Sequence, residues 1–448
     1  MLPEPQKCSV PFRVIVVGTE RVPRQSITIG MQCSNQLYLG LGGLSVAISL
    51  ARRGHQVVVL ESTVELLAIG AGVALPPLTR RWFESEGVLD LDDPTCVSLD
   101  GTEIARWDTD DLVVRTTANP VGKLNAIHHG DLQLALLSRA QQLENIEIRF
   151  GARAVDINIE DNVVLVATGD RVVGDLIIAA DGVKSTIKHK ICPPEACQAE
   201  STGEAAYRLT IPRQLLENDD DLLSLVQCSW SHRWDGPGSH VVVYPVRNHQ
   251  LLNVVLIHPD DGEGKESWTT VTEKHHVVTA FRAWNSRIHK LIDLAPAEVP
   301  NFRLFLYPPS PVWTKGSTIL LGDACHAMLP YLGQGVAQAV EDTIAITTVL
   351  SIIENKAQLP LATRAYELSR KERVDRIQAA SYQARQHLHL KDEKAQKARD
   401  MQRMAAAESQ QNSDVVKMQH AYWIWDAAEA ARNALSDLMP TADANGHQ

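Results

Sequence analysis

Gly40 to Glu61 reads GLGGLSVAISLARRGHQVVVLE, and its punctuation decides the fold. Leu44, Ala47, Ile48 and Ala51 recur at helical spacing, and Gly54 stops that helix. The β-branched run Gln56–Leu60 then reads as a buried strand closed by Glu61. Upstream, Phe12–Val17 (FRVIVV) is a second such run, and it ends in Gly18. Strand, helix and strand in this order form a β-α-β unit of a parallel sheet. Glycines in such a unit let the chain turn and approach a pyrophosphate closely. An acidic residue ending the second strand accepts hydrogen bonds from a ribose. Gly18, Gly40, Gly43 and Glu61 are the candidates for these roles.

Two distant segments repeat the strand-then-turn pattern. DLIIAADGVKST, Asp175 to Thr186, is an apolar strand ending in Asp181–Gly182, which puts a carboxylate where open α/β sheets bind ligands. ILLGDACHAMLPYLGQGVAQAVEDT, Ile319 to Thr343, runs from a strand through Gly322–Asp323 into a loop with Pro330, Gly333, Gln334 and Gly335 that opens a helix. Asp323 is placed to bind hydroxyl groups, and the free amides near Gly335 to stabilise negative charge.

Between and beyond these segments the pattern changes. A helix is expected from about Asp131 to Arg139, with strands around Ile146–Phe150, Val163–Ala167, Leu176–Ala180 and Thr318–Leu321. Residues 202–300 carry strand-like segments (His240–Tyr244, Leu251–Ile257) followed by one amphipathic, aromatic-bearing helix near Val277–Ile292. Beyond Pro360 the chain reads as helical. The run KDEKAQKARDMQR is taken as a solvated helix face and the tail TADANGHQ as disordered.

Composition excludes several function classes. The 448 residues suffice for two or three subdomains, and a formal net charge of −11 gives nucleic acid no electrostatic support. Seven scattered cysteines without a CxxC pair fit a reducing compartment better than a disulfide scaffold or zinc site. No targeting signal is evident, and no apolar run approaches the ~20 residues of a membrane helix. The expectation is a cytoplasmic chain with no nucleic-acid or membrane partner. The pairs His128–His129, His275–His276 and His387/His389 lack ligand spacing with carboxylate or cysteine partners, so no metal is expected.

Taken together, GLGGL…VVVLE, AADGVKST and LLGDACHAMLPYLGQGVAQAVED resemble the group A flavoprotein monooxygenases, in particular the salicylate hydroxylase-like branch and its fungal relatives acting on polyketide phenols. GAGVALPP (Gly70–Pro77), HHGDLQLAL (His128–Leu136), AYRL (Ala206–Leu209) and HVVVYPV (His240–Val246) are similar too, and the likeness runs from about Phe12 to Val349. It implies an α/β fold of the p-hydroxybenzoate hydroxylase-like kind: a Rossmann-like FAD-binding domain, a mixed-sheet substrate domain and C-terminal helices. The expected boundaries are 12–200 and 305–355 for the two parts of the FAD-binding domain, 201–304 for the substrate sheet, 356–436 for the helices and 437–448 for a disordered tail.

The resemblance further implies that NADPH or NADH reduces FAD. Reduced flavin then adds dioxygen to give a flavin hydroperoxide, whose distal oxygen passes to a phenolic ring. Cofactor contacts are implied at Gly72, Val73, His129, Asp181, Asp323, Pro330, Gly333, Gly335 and Val336, beside Gly18, Gly40, Gly43 and Glu61. Arg208 and Tyr244 are the candidates for holding and polarising substrate. His129 stands where the family usually has Arg, and a neutral imidazole is a weaker phosphate partner. Lys188, Cys325 and Leu78 also depart from the family pattern.

One stretch breaks the pattern. Where the family places one residue between Gly18 and the next loop glycine, Thr19 to Leu39 intervene. One reading is a translated intron. The other is that Gln36–Leu39 replaces part of the first strand and leaves the loop usable. Two alternative functions accompany these readings: a flavin-dependent halogenase, whose WxWxIP signature Trp423-Ile424-Trp425 does not complete, and a cofactor-poor product of the insertion.

Overall fold

The structure, a computed structural model, describes residues 5–18, 40–64, 70–117, 121–260, 270–408 and 422–439. The intervening stretch 19–39 lies outside the described residues, as do 440–448 of the expected tail.

Four β-branched runs pair in parallel because each is apolar on both faces. Strands β1 (Arg13–Val17) and β2 (Gln56–Leu60) flank one another, with helix α1 (Leu41–Arg52) between them in sequence. Two shorter elements follow, β3 (Gly72–Leu75) and α2 (Pro77–Ser85). Next come β4 (Cys96–Leu99), β5 (Gly101–Arg106), β6 (Leu112–Thr117) and β7 (Leu124–His128), which leads straight into α3 (His129–Gln141). Strand β8 (Ile146–Arg149) joins the far side of β2, and β9 (Ala154–Asn158), β10 (Val163–Val166) and β11 (Arg171–Val173) make a small antiparallel sheet. Strand β12 (Leu176–Ala179) pairs with the other side of β1, and the short α4 (Lys188–Ile191) follows it.

The second large sheet begins with β13 (Glu200–Pro212), continues through α5 (Asp220–Gln227), β14 (Trp230–Gly236), β15 (Ser239–Val246) and β16 (Leu251–Pro259), and closes with β17 (Val271–Glu273), α6 (Lys274–Ala280), α7 (Ser286–Asp293) and β18 (Glu298–Leu306). The chain then returns to the first sheet through β19 (Thr314–Lys315) and β20 (Thr318–Leu320), followed by α8 (Asp323–His326), α9 (Gly335–Ile352), α10 (Leu359–Leu388), α11 (Glu393–Glu408) and the helix Ala427–Leu438.

The first sheet has the order β19-β20-β12-β1-β2-β8, so the chain reverses direction about β1 and leaves a crevice beyond the strand ends there. Gly18, Glu61, Asp181 and Gly322 follow the ends of β1, β2, β12 and β20 and therefore share that edge. Helices α1 and α9 meet over the sheet at Gly42, where a Cβ would stand 2.9 Å from Leu321 Cδ2 and 3.2 Å from that of Ala339.

The second sheet has the order β17-β18-β13-β16-β15-β14-β5-β6. It is discontinuous in sequence: β5 and β6 come from before residue 200, where the expected range 201–304 does not reach. Its far face packs Leu209, Trp234, Val241, Val254 and Leu256 beneath α5, α6 and α7. The single helix expected over Val277–Ile292 is two helices. Asn285 interrupts it, its side chain accepting from Ile288 N as the cap of α7.

The charged run 391–403 also differs from expectation. One face of α11 is buried against the second sheet: Gln396 Oε1 accepts from Trp107 Nε1 at 3.0 Å, and Arg403 pairs with Asp235 at 2.7 Å. Burial alone would raise the Asp235 carboxyl, but Arg233, Arg403 and Arg399 hold it at about 2. A composition of charges cannot distinguish a solvated face from one that meets buried counter-charges. At the chain's end, the last helix reaches Leu438, two residues into the expected tail.

Candidate active site

Three separated motifs converge on the shared strand edge. Leu321 N donates to Ala179 O at 3.0 Å, tying the third motif to the second. Gly40, at the start of α1, has Ala180 O as its neighbour, 3.9 Å from where its Cβ would lie. Gly333, in the loop before α9, similarly faces Ala74 of β3 across 3.6 Å. Gly322 adopts φ 63° and ψ −138°, a conformation for glycine alone, which lets the chain leave β20 and enter α8 at Asp323.

Polar atoms at this edge lack partners. Glu61 Oε1 accepts from Thr63 N at 2.7 Å, yet its Oε2 is buried with no donor. Asp181 Oδ2 takes Thr186 N at 3.0 Å, while Oδ1 is left bare. Burial pushes Glu61 up to about 7 and Asp181 up to about 6. Asp323 is accessible to solvent, but the surrounding protein still raises its carboxyl. Helices α1 and α9 both begin without a side-chain cap, so their first amides are open as well.

A second group lies where β3 and α3 meet the second sheet. Arg208 on β13 and Tyr244 on β15 influence each other electrostatically, and His129 at the start of α3 senses Arg208. Arg208 lies over the Phe302 ring at 5.0 Å, and its buried Nε has no acceptor. The backbone of Gly72 lies flat against Tyr244: a Cβ there would stand 2.8 Å from the phenol oxygen. Gly72 N donates to Asn253 Oδ1 at 2.7 Å, which moors β3 to β16. Val73 is half-buried beside it. Burial lowers His129 to about 4, with His128 and Arg208 adding to the effect, so the imidazole is neutral and its Nδ1 is unpartnered.

Acceptors at Glu61 and Asp181 suit the hydroxyls of a ribose and a ribitol chain, and the two open helix starts suit a pyrophosphate and a flavin ring. The residues present therefore fit FAD. Pro330 opens the turn before Gly333, and Gly335 and Val336 begin α9.

Sequence reasoning missed a third group. Glu204 Oε1 pairs with His389 Nδ1 at 2.6 Å and Arg385 Nε at 2.8 Å, and Tyr331 donates to its other oxygen. His389 Nε2 meets His240 Nδ1 at 2.7 Å. Burial opposes ionisation of Glu204, but His389, Tyr331 and Arg385 outweigh it and depress the carboxyl. No sequence signal marks this cluster, because Glu204 and His389 are 185 positions apart. Tyr331 is the exception, since it sits inside the third motif. Among the described residues no group of three or more His, Cys, Asp or Glu is arranged to hold a metal, and no helix is long and apolar enough to cross a membrane.

Known proteins place this geometry in a family. The FAD binding domain model matches residues 39–381. The chain is 64% identical over 432 residues to the FAD-dependent monooxygenase ntnJ of Nectria sp., covering 96% of this chain and 98% of that one. It is 63% identical to the FAD-dependent monooxygenase atnJ of Arthrinium sp., with the same coverage. A solved salicylate hydroxylase substrate complex superposes with a TM-score of 0.75 at 21% identity, over 97% of this chain and 99% of that one, and so shares the fold. From the shared strand edge, its unpartnered acceptors and these likenesses, the chain belongs to the FAD binding domain family and is one of its FAD-dependent monooxygenases.

Proposed function

We propose that the chain uses NADPH or NADH and dioxygen to hydroxylate or oxidatively dearomatise a phenolic substrate, a salicylate-like acid or a polyketide phenol. The FAD-binding part is assigned to 12–200 and 305–355, apart from β5 and β6, which belong with the substrate sheet of 201–304. The observation that carries the reading is Arg208, a half-buried cation whose Nε has no acceptor, in electrostatic reach of the Tyr244 phenol that packs on Gly72. A buried unpaired donor is costly unless a ligand completes it, and a phenolate or carboxylate oxygen would do so.

Bound FAD supplies the electron transfer and oxygen activation that no side chain can. The protein's own groups bind and orient. Glu61 and Asp181 accept hydroxyl hydrogen bonds, and the starts of α1 and α9 present open amides. Arg208 favours the charged form of a substrate oxygen, and the Tyr244 phenol, raised by burial, stays protonated and donates. Phe302 and Val255 line the same side with apolar surface. The halogenase alternative gains no support, because Trp425 lies under Arg370 and Arg373 as a packing group.

The test is NAD(P)H oxidation by the purified flavoprotein against a panel of phenolic acids and alkyl resorcinols, with product masses. A gain of one oxygen, dependent on Arg208, supports the reading. A yellow protein that oxidises NAD(P)H with no oxygenated product from any phenol refutes it.

A further inference from the structure

The hairpin that joins β15 to β16 turns through three left-handed residues: Arg247, Asn248 and His249 have φ of 51°, 48° and 62°, and none is glycine. Asn and His tolerate this region. For arginine it is unfavourable, and such strain persists only where surrounding contacts enforce it. Here Arg247 N donates to Thr95 O at 3.3 Å, and Gln250 N to Arg247 O at 3.0 Å. His249 Nδ1 donates to Val226 O at 2.8 Å. The turn is held in a shape that directs the Arg247 side chain onto α3.

Arg247 meets α3 as a fork. Its Nε and Nη2 donate to different oxygens of Asp131, each at 2.7 Å, the bidentate geometry of guanidinium and carboxylate. Nη2 also lies 3.4 Å from His128 Nδ1. The other ring nitrogen of His128, Nε2, lies 2.8 Å from Gly70 O. These two contacts decide the tautomer. A guanidinium can only donate and a carbonyl can only accept, so Nδ1 offers its lone pair and Nε2 carries the proton. Burial and the Arg247 charge both lower His128 from 6.5, which keeps the ring neutral at pH 7. Facing the ring are Arg247 from the turn and Asp131 and His129 from α3, while β3 presents no titratable side chain. Asp131 is the competitor: its Oδ1 is 3.9 Å from His128 Nδ1 and favours a proton there once Arg247 is absent.

The carbonyl held by this ring belongs to the segment that leads into β3. Gly70 has φ 148°, and a Cβ there would stand 2.8 Å from that of His129. His129 N donates to Ala71 O at 2.9 Å, and Gly72 N to Asn253 Oδ1 at 2.7 Å. Asn253 and Tyr244 are register partners on the hairpin that carries Arg247 at its tip. One hairpin therefore grips Gly70–Gly72 at two points, directly through Asn253 and through His128 from Arg247.

We propose, on the reading that Gly72 and Val73 touch FAD, that Arg247 is a positioning residue for the cofactor. It fixes His128 as the Nε2–H tautomer, which holds Gly70 O and so seats Gly72 and Val73 against the flavin. Without the guanidinium, neutral His128 carries its proton on Nδ1 toward Asp131, and the Nε2 lone pair then opposes Gly70 O. At low pH a doubly protonated ring serves both partners and restores the grip.

The experiment uses the flavin-loaded full chain, with isotope-labelled histidine, as wild type and as Arg247→Met. Long-range proton–nitrogen NMR spectra read the tautomer of His128, whose signals are assigned by their loss in His128→Gln. At pH 7 the wild type should show the Nε2–H form and the variant the Nδ1–H form. Flavin release on dilution, followed by fluorescence, should be roughly 3- to 10-fold faster in the variant, the worth of one hydrogen bond. The ratio of variant to wild-type rates should fall toward one as pH is lowered and His128 protonates. Taking the ratio cancels the titration of Glu61, which both proteins share. A merely structural loss would speed release equally at every pH. Arg247→Lys keeps a donor and a charge and should retain the wild-type tautomer. Arg247→Gln, the milder change should Arg247→Met not fold, offers an acceptor as well as a donor and should give both tautomers. An Nδ1–H ring in the wild type, or a tautomer indifferent to Arg247→Met and Arg247→Gln, would overturn the proposal. So would a switched tautomer with flavin release unmoved, which would take Gly72 and Val73 away from the cofactor.

Discussion

Asp342 of α9 accepts the backbone N–H of Gly322 at 3.0 Å through Oδ2, so the helix that opens at Gly335 also holds the turn carrying Asp323. The same oxygen meets His326 Nε2 at 2.6 Å, and Oδ1 takes Arg370 Nε at 2.8 Å. Arg370 is in turn held by Glu341 at 2.6 Å and by the Trp425 ring at 5.0 Å. A fully buried carboxylate thereby couples the third motif to the C-terminal helices.

Removing that carboxylate strands the buried Arg370 cation and leaves Gly322 N and His326 Nε2 without their shared partner. Asp342→Ala should cost about 3–5 kcal/mol of stability, because breaking a buried pair leaves its partner uncompensated. Burial alone would raise the Asp342 carboxyl, but His326 and Arg370 hold it at about 2. A depressed carboxyl stabilises above its unfolded value of 3.8, and that contribution is lost as pH falls from there toward 2. Urea unfolding of the wild type and variant checks both points: their midpoints should differ widely at pH 7 and draw together at low pH.

Glu61 has the opposite sign. Its carboxyl is raised by burial from 4.5 to about 7, so the flavin-free protein should lose stability as pH climbs through that interval. Ribose hydroxyls donate to the ionised form, hence FAD should bind more tightly as pH rises across the same range. Glu61→Gln should abolish this dependence and weaken binding by about 1.5–3 kcal/mol. Fluorescence titration of the flavin-free protein with FAD at several pH values reads both effects. An affinity unchanged by pH in the wild type contradicts the assignment.

Arg208→Met and Tyr244→Phe should separate binding from folding. Arg208 Nε has no acceptor, and both substitutions keep most of the side chain's apolar bulk, so melting temperatures should move little. The loss of a charged hydrogen bond to substrate is worth about 1.5–3 kcal/mol, roughly 10- to 150-fold in kcat/KM. Steady-state kinetics on the best phenol, with flavin content measured alongside, is the check. Full activity in Arg208→Met would remove Arg208 from the site.

Tyr331, Glu204 and His389 should behave as one unit. Tyr331→Phe removes the bond that ties the Pro330–Leu332 loop to Glu204 on the second sheet, and His389→Asn alters a second partner of the same carboxylate. Their effects on kcat should therefore be non-additive, with a coupling of about 0.5–3 kcal/mol in a double-mutant cycle. Additive losses would mean that the two residues act separately.

Much of the fold was legible because local rules suffice for it. The β-branched runs of β1, β2, β12 and β20, each closed by glycine or an acidic residue, specify parallel strands and a ligand edge without knowledge of the rest. The turn at Gly322 and the helix start at Gly335 were readable for the same reason, since backbone conformation and free amides are local properties. The break at Asn285 lay within reach too, as an N-cap inside an amphipathic run, but the longer periodicity concealed it.

What residues alone determined, then, was a parallel strand edge and the glycine and acidic residues that follow its strands. Tertiary structure decided which distant charges meet. Only packing puts Asp235 against Arg403, Glu204 against His389 and Cys228 against His232, and only packing leaves Arg208 Nε without an acceptor. The reason is physical: strand and helix periodicity act over a few residues. The worth of a buried charge depends instead on partners and dielectric that the chain brings together only when it closes on itself.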